Sequence, residues 1–119
     1  MLLVYLNEEA WGRLSETQQR EAMDACAPHA NQLMERGIFL SGAPLEPTAT
    51  ATTIRRRNGK RVVTDGPFAE TREQLGGFSL IEAANLDEAI AAASGFFGDD
   101  FPAGIEIRPV VEVATLRPG

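Results

Sequence analysis

Two stretches with helical period, each bracketed by short apolar runs, limit this chain to a small set of folds. The first begins at Ser15, where Gln18 completes a capping box, so a helix is predicted from about Glu16. Met23, Cys26, Ala27, Ala30 and Met34 form its apolar face, and Gly37 is a natural stop. Pro28 falls inside this helix, where it removes one backbone hydrogen bond and crowds the preceding turn. A kink or break is predicted there. The second helix is predicted from Asn85, an N-cap with Glu88 three residues on. Its apolar face is Ala89, Ile90, Ala93 and Phe97, and Gly98-Asp99-Asp100 ends it.

The runs around these helices read as strands. Leu2 to Leu6 is apolar and aromatic, and the polar stretch Asn7 to Leu14 ends it. Ile38 to Leu45 is the second strand, stopped by Pro44 and Pro47. Thr50 to Arg57 is rich in β-branched residues and meets Asn58-Gly59, a strong signal for a two-residue hairpin turn. Lys60 to Thr64 returns as its partner, with Ile54 opposite Val63 and Arg56 opposite Arg61. Leu75 to Ala83 follows. The last strand has Ile105, Ile107, Val111 and Val113 on one buried face, with Pro109 implying an edge position or a bulge.

The order is therefore β-α-β, a hairpin, then β-α-β. Two such halves with helices on one face make a ferredoxin-like α+β sandwich with an antiparallel sheet and an inserted β-hairpin. One layer of helices leaves the other sheet face bare, yet Phe78, Leu80 and Ile81 put apolar groups on both sides. A second copy of the sheet is the simplest cover, so a homodimer is predicted.

Composition excludes several classes. The 119 residues suit one domain, with a core from about residue 2 to 113. Cys26 is the only cysteine and His29 the only histidine, which excludes an internal disulfide and a Cys/His zinc site within one chain. The net charge of -6 argues against a nucleic-acid surface. The N-terminus has no basic n-region, and no apolar run approaches the roughly 20 residues that span a bilayer. A cytoplasmic protein with no membrane partner is expected. Gly76-Gly77 lacks the Lys-Ser/Thr of a phosphate loop, and Ser41 lacks a G-x-S-x-G context, so no nucleotide, metal or other cofactor and no serine nucleophile is expected.

One stretch carries a specific resemblance. Val63-Thr64-Asp65-Gly66-Pro67-Phe68-Ala69-Glu70-Thr71, continuing through Glu73-Gln74-Leu75-Gly76-Gly77-Phe78, resembles the DGPF branch of the YCII-related family. The run from Gly37 to Pro47, Thr53-Ile54-Arg55 and Glu106-Ile107-Arg108-Pro109-Val110 resemble its other strand regions, so the likeness covers Leu3 to about Val113. The resemblance implies a ferredoxin-like subunit paired sheet to sheet as a dimeric α+β barrel. It also implies a His-Asp active site in a cleft beside the sheet. One YCII-like branch is similar to enzymes that remove chloride from chlorinated hydroxyquinones. Some DGPF proteins are associated with regulatory systems that use alternative sigma factors.

The candidate catalytic residues are His29 and Asp65. At 100° per residue His29 projects about 120° from the centre of its helix stripe, on the flank of Cys26 and Leu33. An imidazole at such a border can transfer protons near neutral pH, or it can be a boundary residue without a role. Asp65 can orient His29 or act alone as an acid–base group, or it can cap its own turn. Ser41, Gly66, Phe68 and Glu70 are the candidate substrate-binding positions. Gly66 supplies backbone freedom, Phe68 reads as a core or dimer-interface plug, and Glu70 bonds the loop or is solvated. The expectation is a small cofactor-free enzyme catalysing an isomerisation, elimination or hydrolysis on a small polar or aromatic molecule. The alternative is a non-catalytic ligand-binding or regulatory dimer module. Five cations between Arg55 and Arg61 read as a solvated hairpin tip or as a site for an anion or acidic partner.

Overall fold

The computed structural model describes residues 1–98 and 101–112. Its elements are β1 (Leu2–Leu6), α1 (Glu8–Gly12), α2 (Glu16–Glu35), β2 (Phe39–Pro44), a short 3-10 turn (Thr48–Thr50), β3 (Thr52–Arg57), β4 (Lys60–Asp65), β5 (Gln74–Ile81), α3 (Leu86–Ser94) and β6 (Ala103–Ile107). Four strands form one antiparallel sheet in the order β2-β5-β1-β6. Each helical crossover places its second strand beyond a neighbour, which is the ferredoxin-like arrangement of an α+β protein. The hairpin β3–β4 is a separate two-stranded sheet. Its register is Ile54 opposite Val63 and Arg56 opposite Arg61, as the Asn58-Gly59 turn predicts. Both turn residues have positive φ, which the type I′ geometry demands.

The core is small. Leu2 on β1 and its cross-strand neighbour Ser79 on β5 are buried, as is Gly77. All three lie on the sheet face toward Leu33 of α2, which is 2% exposed, and Ala89, Ala92 and Ala93 of α3. The alternate residues Leu3, Phe78 and Leu80 point to the opposite face and are only half-buried. The chain exposes 9191 Å², whereas a compact monomer of 12.9 kDa exposes about 6,300 Å². The nine residues outside the description, even fully extended, would expose about 1,400 Å², roughly half of the excess. The radius of gyration is 16.4 Å, against about 13.5 Å expected for this length. The chain leaves surface that a closed fold would cover.

Several expectations are corrected. Asn7 to Leu14 is not merely a break: Asn7 accepts a hydrogen bond from the Ala10 N–H and caps the short helix α1. Helix α2 starts with the predicted capping box, with both reciprocal bonds made, but runs unbroken through Pro28. Its inward side is Ala22, Cys26, His29, Ala30 and Leu33, while Met23 and Met34 are exposed. The large apolar side chains suggested a stripe that is rotated from the inward one, which carries Leu33 and His29 instead. Helix α3 ends at Ser94 with Gly95 as its cap, so Phe97 lies beyond it. Ile90 is exposed and Ala92 takes the inward place. Thr50 belongs to the 3-10 turn rather than to the hairpin, and Asp65 is the last residue of β4, opposite Thr52. Strand β6 stops at Ile107, ahead of Pro109. Val111 is 80% exposed rather than buried, and Val113, Asp99 and Asp100 lie outside the described residues. Among the described residues, no helix is long and apolar enough to cross a membrane.

Candidate functional site

The DGPF loop leaves β4 through a glycine-dependent turn. Gly66 has φ +110°, a backbone state that side chains resist. Its N–H donates to the Ala51 carbonyl at 2.8 Å, and its own carbonyl accepts from the Thr53 hydroxyl at 2.8 Å. These two bonds tie the loop to the base of β3. Farther on, the Arg55 guanidinium donates to the Phe68 carbonyl at 2.5 Å and lies 4.2 Å over the Phe68 ring. Phe68 is 69% exposed, so of the two places the sequence suggested, core or dimer interface, it is not in the core. It is held by a cation–π contact at the surface instead. The sequence shows Arg55 within a basic tip or anion site but not this pairing, which spans thirteen residues and two elements.

Behind this loop is a cavity of about 550 Å³, lined on its apolar side by Tyr5, Leu45, Pro47, Pro67, Phe68 and Leu75. Its charged lining residues are Glu46 and Glu73, with no cation. The far wall is braced by Glu8, which sequence reasoning missed. Its carboxylate accepts from the Thr48 N–H at 2.9 Å and the Thr48 hydroxyl at 2.7 Å. The Glu8 N–H donates to the Gln74 side chain, which in turn donates to the Thr71 carbonyl. Nothing local in the sequence signals a bond between residues 8 and 48. Tyr5 shares a sheet face with Leu3, so the cavity opens at the end of the bare face. Glu70 lines an adjoining cavity of about 360 Å³, with Gly66, Pro67 and Thr71.

His29 sits elsewhere. Its Nε2 lies 2.6 Å from the Ala92 carbonyl oxygen in the last turn of α3. A carbonyl only accepts, so Nε2 carries the proton. The ring meets Phe96 edge-on at 4.8 Å, and a Cβ at Gly95 would overlap it. The imidazole therefore closes the exposed end of α3 from the neighbouring helix. A small cleft of about 190 Å³ adjoins it, lined also by Arg36, Glu82 and Glu88. Cys26, one turn away, donates its thiol to the Phe96 carbonyl at 2.9 Å, and burial pushes the thiol up from its usual range.

The structure does not bring the six candidate residues together. Gly66 and Phe68 are joined at the loop through β3, and Glu70 lies nearby. Asp65 is exposed at the end of β4, and its carboxylate makes no hydrogen bond among the described residues. Ser41 is exposed on β2 opposite Leu80 and lines neither cavity beside the loop. No hydrogen bond or shared cavity links His29 to Asp65 among the described residues. No three His, Cys, Asp or Glu side chains converge there on a metal position.

Two comparisons place the chain. It is 36% identical over 119 residues to an uncharacterised protein of Rhizobium meliloti (strain 1021), covering 99% of this chain and 94% of that protein. The family model of the YCII-related domain matches residues 1–114, which includes β1 to β6, the DGPF loop and the hairpin. The chain belongs to the YCII-related family.

Proposed function

We propose that this protein is a ligand-binding module that works as a homodimer, and that the cavity behind the DGPF loop takes a small aromatic molecule. The observation that carries this reading is the cavity itself. It has aromatic and aliphatic walls, bracing on both sides and a polar rim, which is the usual make-up of a small-molecule site. Two carboxylates and no cation at the lining favour a neutral or cationic ligand over an anion. The bare sheet face beside it supports the dimer. After allowance for the residues outside the description, roughly 1,500 Å² of excess surface remains per chain, within the range that obligate homodimers bury. A sheet laid on that face would also close the mouth of the cavity. Against an acid–base pair of His29 and Asp65 stands the His29 Nε2, which donates to the Ala92 carbonyl at the α3 terminus.

The test is thermal unfolding with three one-ring probes: phenol, benzamidine and benzoate. Phenol or benzamidine should raise the melting temperature, by up to several degrees at a large excess over the dissociation constant. Phe68→Ala should reduce that shift, and benzoate should give less. A larger shift with benzoate, or none with any probe, contradicts the reading.

A further inference from the structure

We infer that the β3–β4 hairpin is an arm that lies on the acidic surface of a second copy of this chain. The inference rests on the two-chain reading above and adds a second contact to it. Within its own subunit the hairpin has almost no cover: of its twelve strand residues only Thr53 is not exposed. It makes no strand pairing with the main sheet. A two-stranded hairpin alone is marginally stable in water, and this one carries like charges directly opposite each other, Arg56 with Arg61 and Arg57 with Lys60, which weakens it further.

Its two faces differ. Thr53 and Arg55 turn one face toward the DGPF loop. The other face carries Ile54, 63% exposed, beside Val63, 55% exposed, with Arg56 and Arg61 next along. That is an exposed apolar pair, flanked by Arg56 and Arg61 toward the tip and by Thr52 and Asp65 toward the base. Charge identifies the occupant. The segment Arg55–Arg61 holds five cations and no acid, so the rest of the chain has six cations against 17 acids. Arg56, Arg57, Lys60 and Arg61 are in no ion pair among the described residues. A chain whose remainder is this acidic is itself the complementary surface for the arm. A second copy also satisfies the symmetry of a dimer, since each subunit offers one arm and receives one.

Sedimentation equilibrium of the full chain tests this, in about 50 mM and about 500 mM salt. Two double variants are used, Arg56→Glu with Arg61→Glu, and Ile54→Ser with Val63→Ser. All four positions are exposed, so circular dichroism should show both variants folded. Each should raise the dimer dissociation constant about tenfold or more, and salt should weaken the wild-type dimer but not the charge-reversed one. A wild type that stays monomeric at tens of micromolar removes the two-chain reading, and the arm with it. A dimeric wild type whose variants both stay within about twofold overturns the arm alone. Binding of a polynucleotide through the same cations, with the dimer unchanged by charge reversal, also overturns it.

Discussion

His29 has a structural partner that its spacing does not reveal. As the only histidine it was the natural proton-transfer candidate, yet its ring caps a helix through a carbonyl 63 residues away. Replacing it with alanine leaves that carbonyl without its partner and opens a gap beside Phe96. His29→Ala should therefore cost about 1–3 kcal/mol in chemical unfolding, whereas His29→Gln, which still offers an N–H, should recover part of it. Equal loss in both variants would show that the hydrogen bond does not matter. Cys26 follows similar logic. Its thiol donates to the Phe96 carbonyl, and burial raises its pKa. The folded chain should react with a thiol reagent more slowly than the unfolded chain at pH 8, because less thiolate is present. A raised folded value also means that this stabilisation is complete below the ordinary thiol range and fades as pH rises through the folded pKa. Equal rates in folded and unfolded chains would contradict this.

At the scale of elements, local chemistry was legible and long-range chemistry was not. The capping box at Ser15, the N-cap at Asn85, the Asn58-Gly59 turn and the hairpin register all follow from neighbours within four residues, and all are present. The phase of α2 and the end of α3 were misplaced because both depend on distant partners: α2 turns Cys26, His29 and Leu33 inward rather than Met23 and Met34, and Cys26 and His29 bond carbonyls at the end of α3. Pro28 was expected to interrupt α2 and does not. Its position is exposed and the helix continues on both sides, so Pro28→Ala should stabilise the protein by up to about 3 kcal/mol. No gain in the unfolding midpoint would mean that the helix already accommodates the ring. Gly42 is a tighter case. A Cβ there would lie 2.6 Å from the Phe78 carbonyl oxygen across the β2–β5 ladder, and backbone cannot move aside. Gly42→Ala should be destabilising by roughly 1–3 kcal/mol, with wild-type stability as the contrary result.

The whole molecule has a regular four-stranded frame and two features the frame does not use, a bare sheet face and an uncovered hairpin. The sequence foretold the first from apolar residues on both sides of β5. The second was visible as a basic cluster, but its isolation became clear only when the hairpin proved separate from the main sheet. Of the cavity only Phe68 was legible, since β1, the 3-10 turn, the DGPF loop and β5 meet there from four parts of the chain. Asp65, Gly66, Phe68 and Glu70 among the six candidate residues lie at that end of the molecule, and of these only Phe68 lines the cavity. The two sites make opposite predictions about where a ligand goes, and methyl groups report on each. In a methyl correlation spectrum titrated with phenol and then benzamidine, the account predicts shifts at Leu45 and Leu75, which line the DGPF cavity, with Leu33 beside His29 unmoved. Shifts at Leu33 with Leu45 and Leu75 unchanged would contradict it.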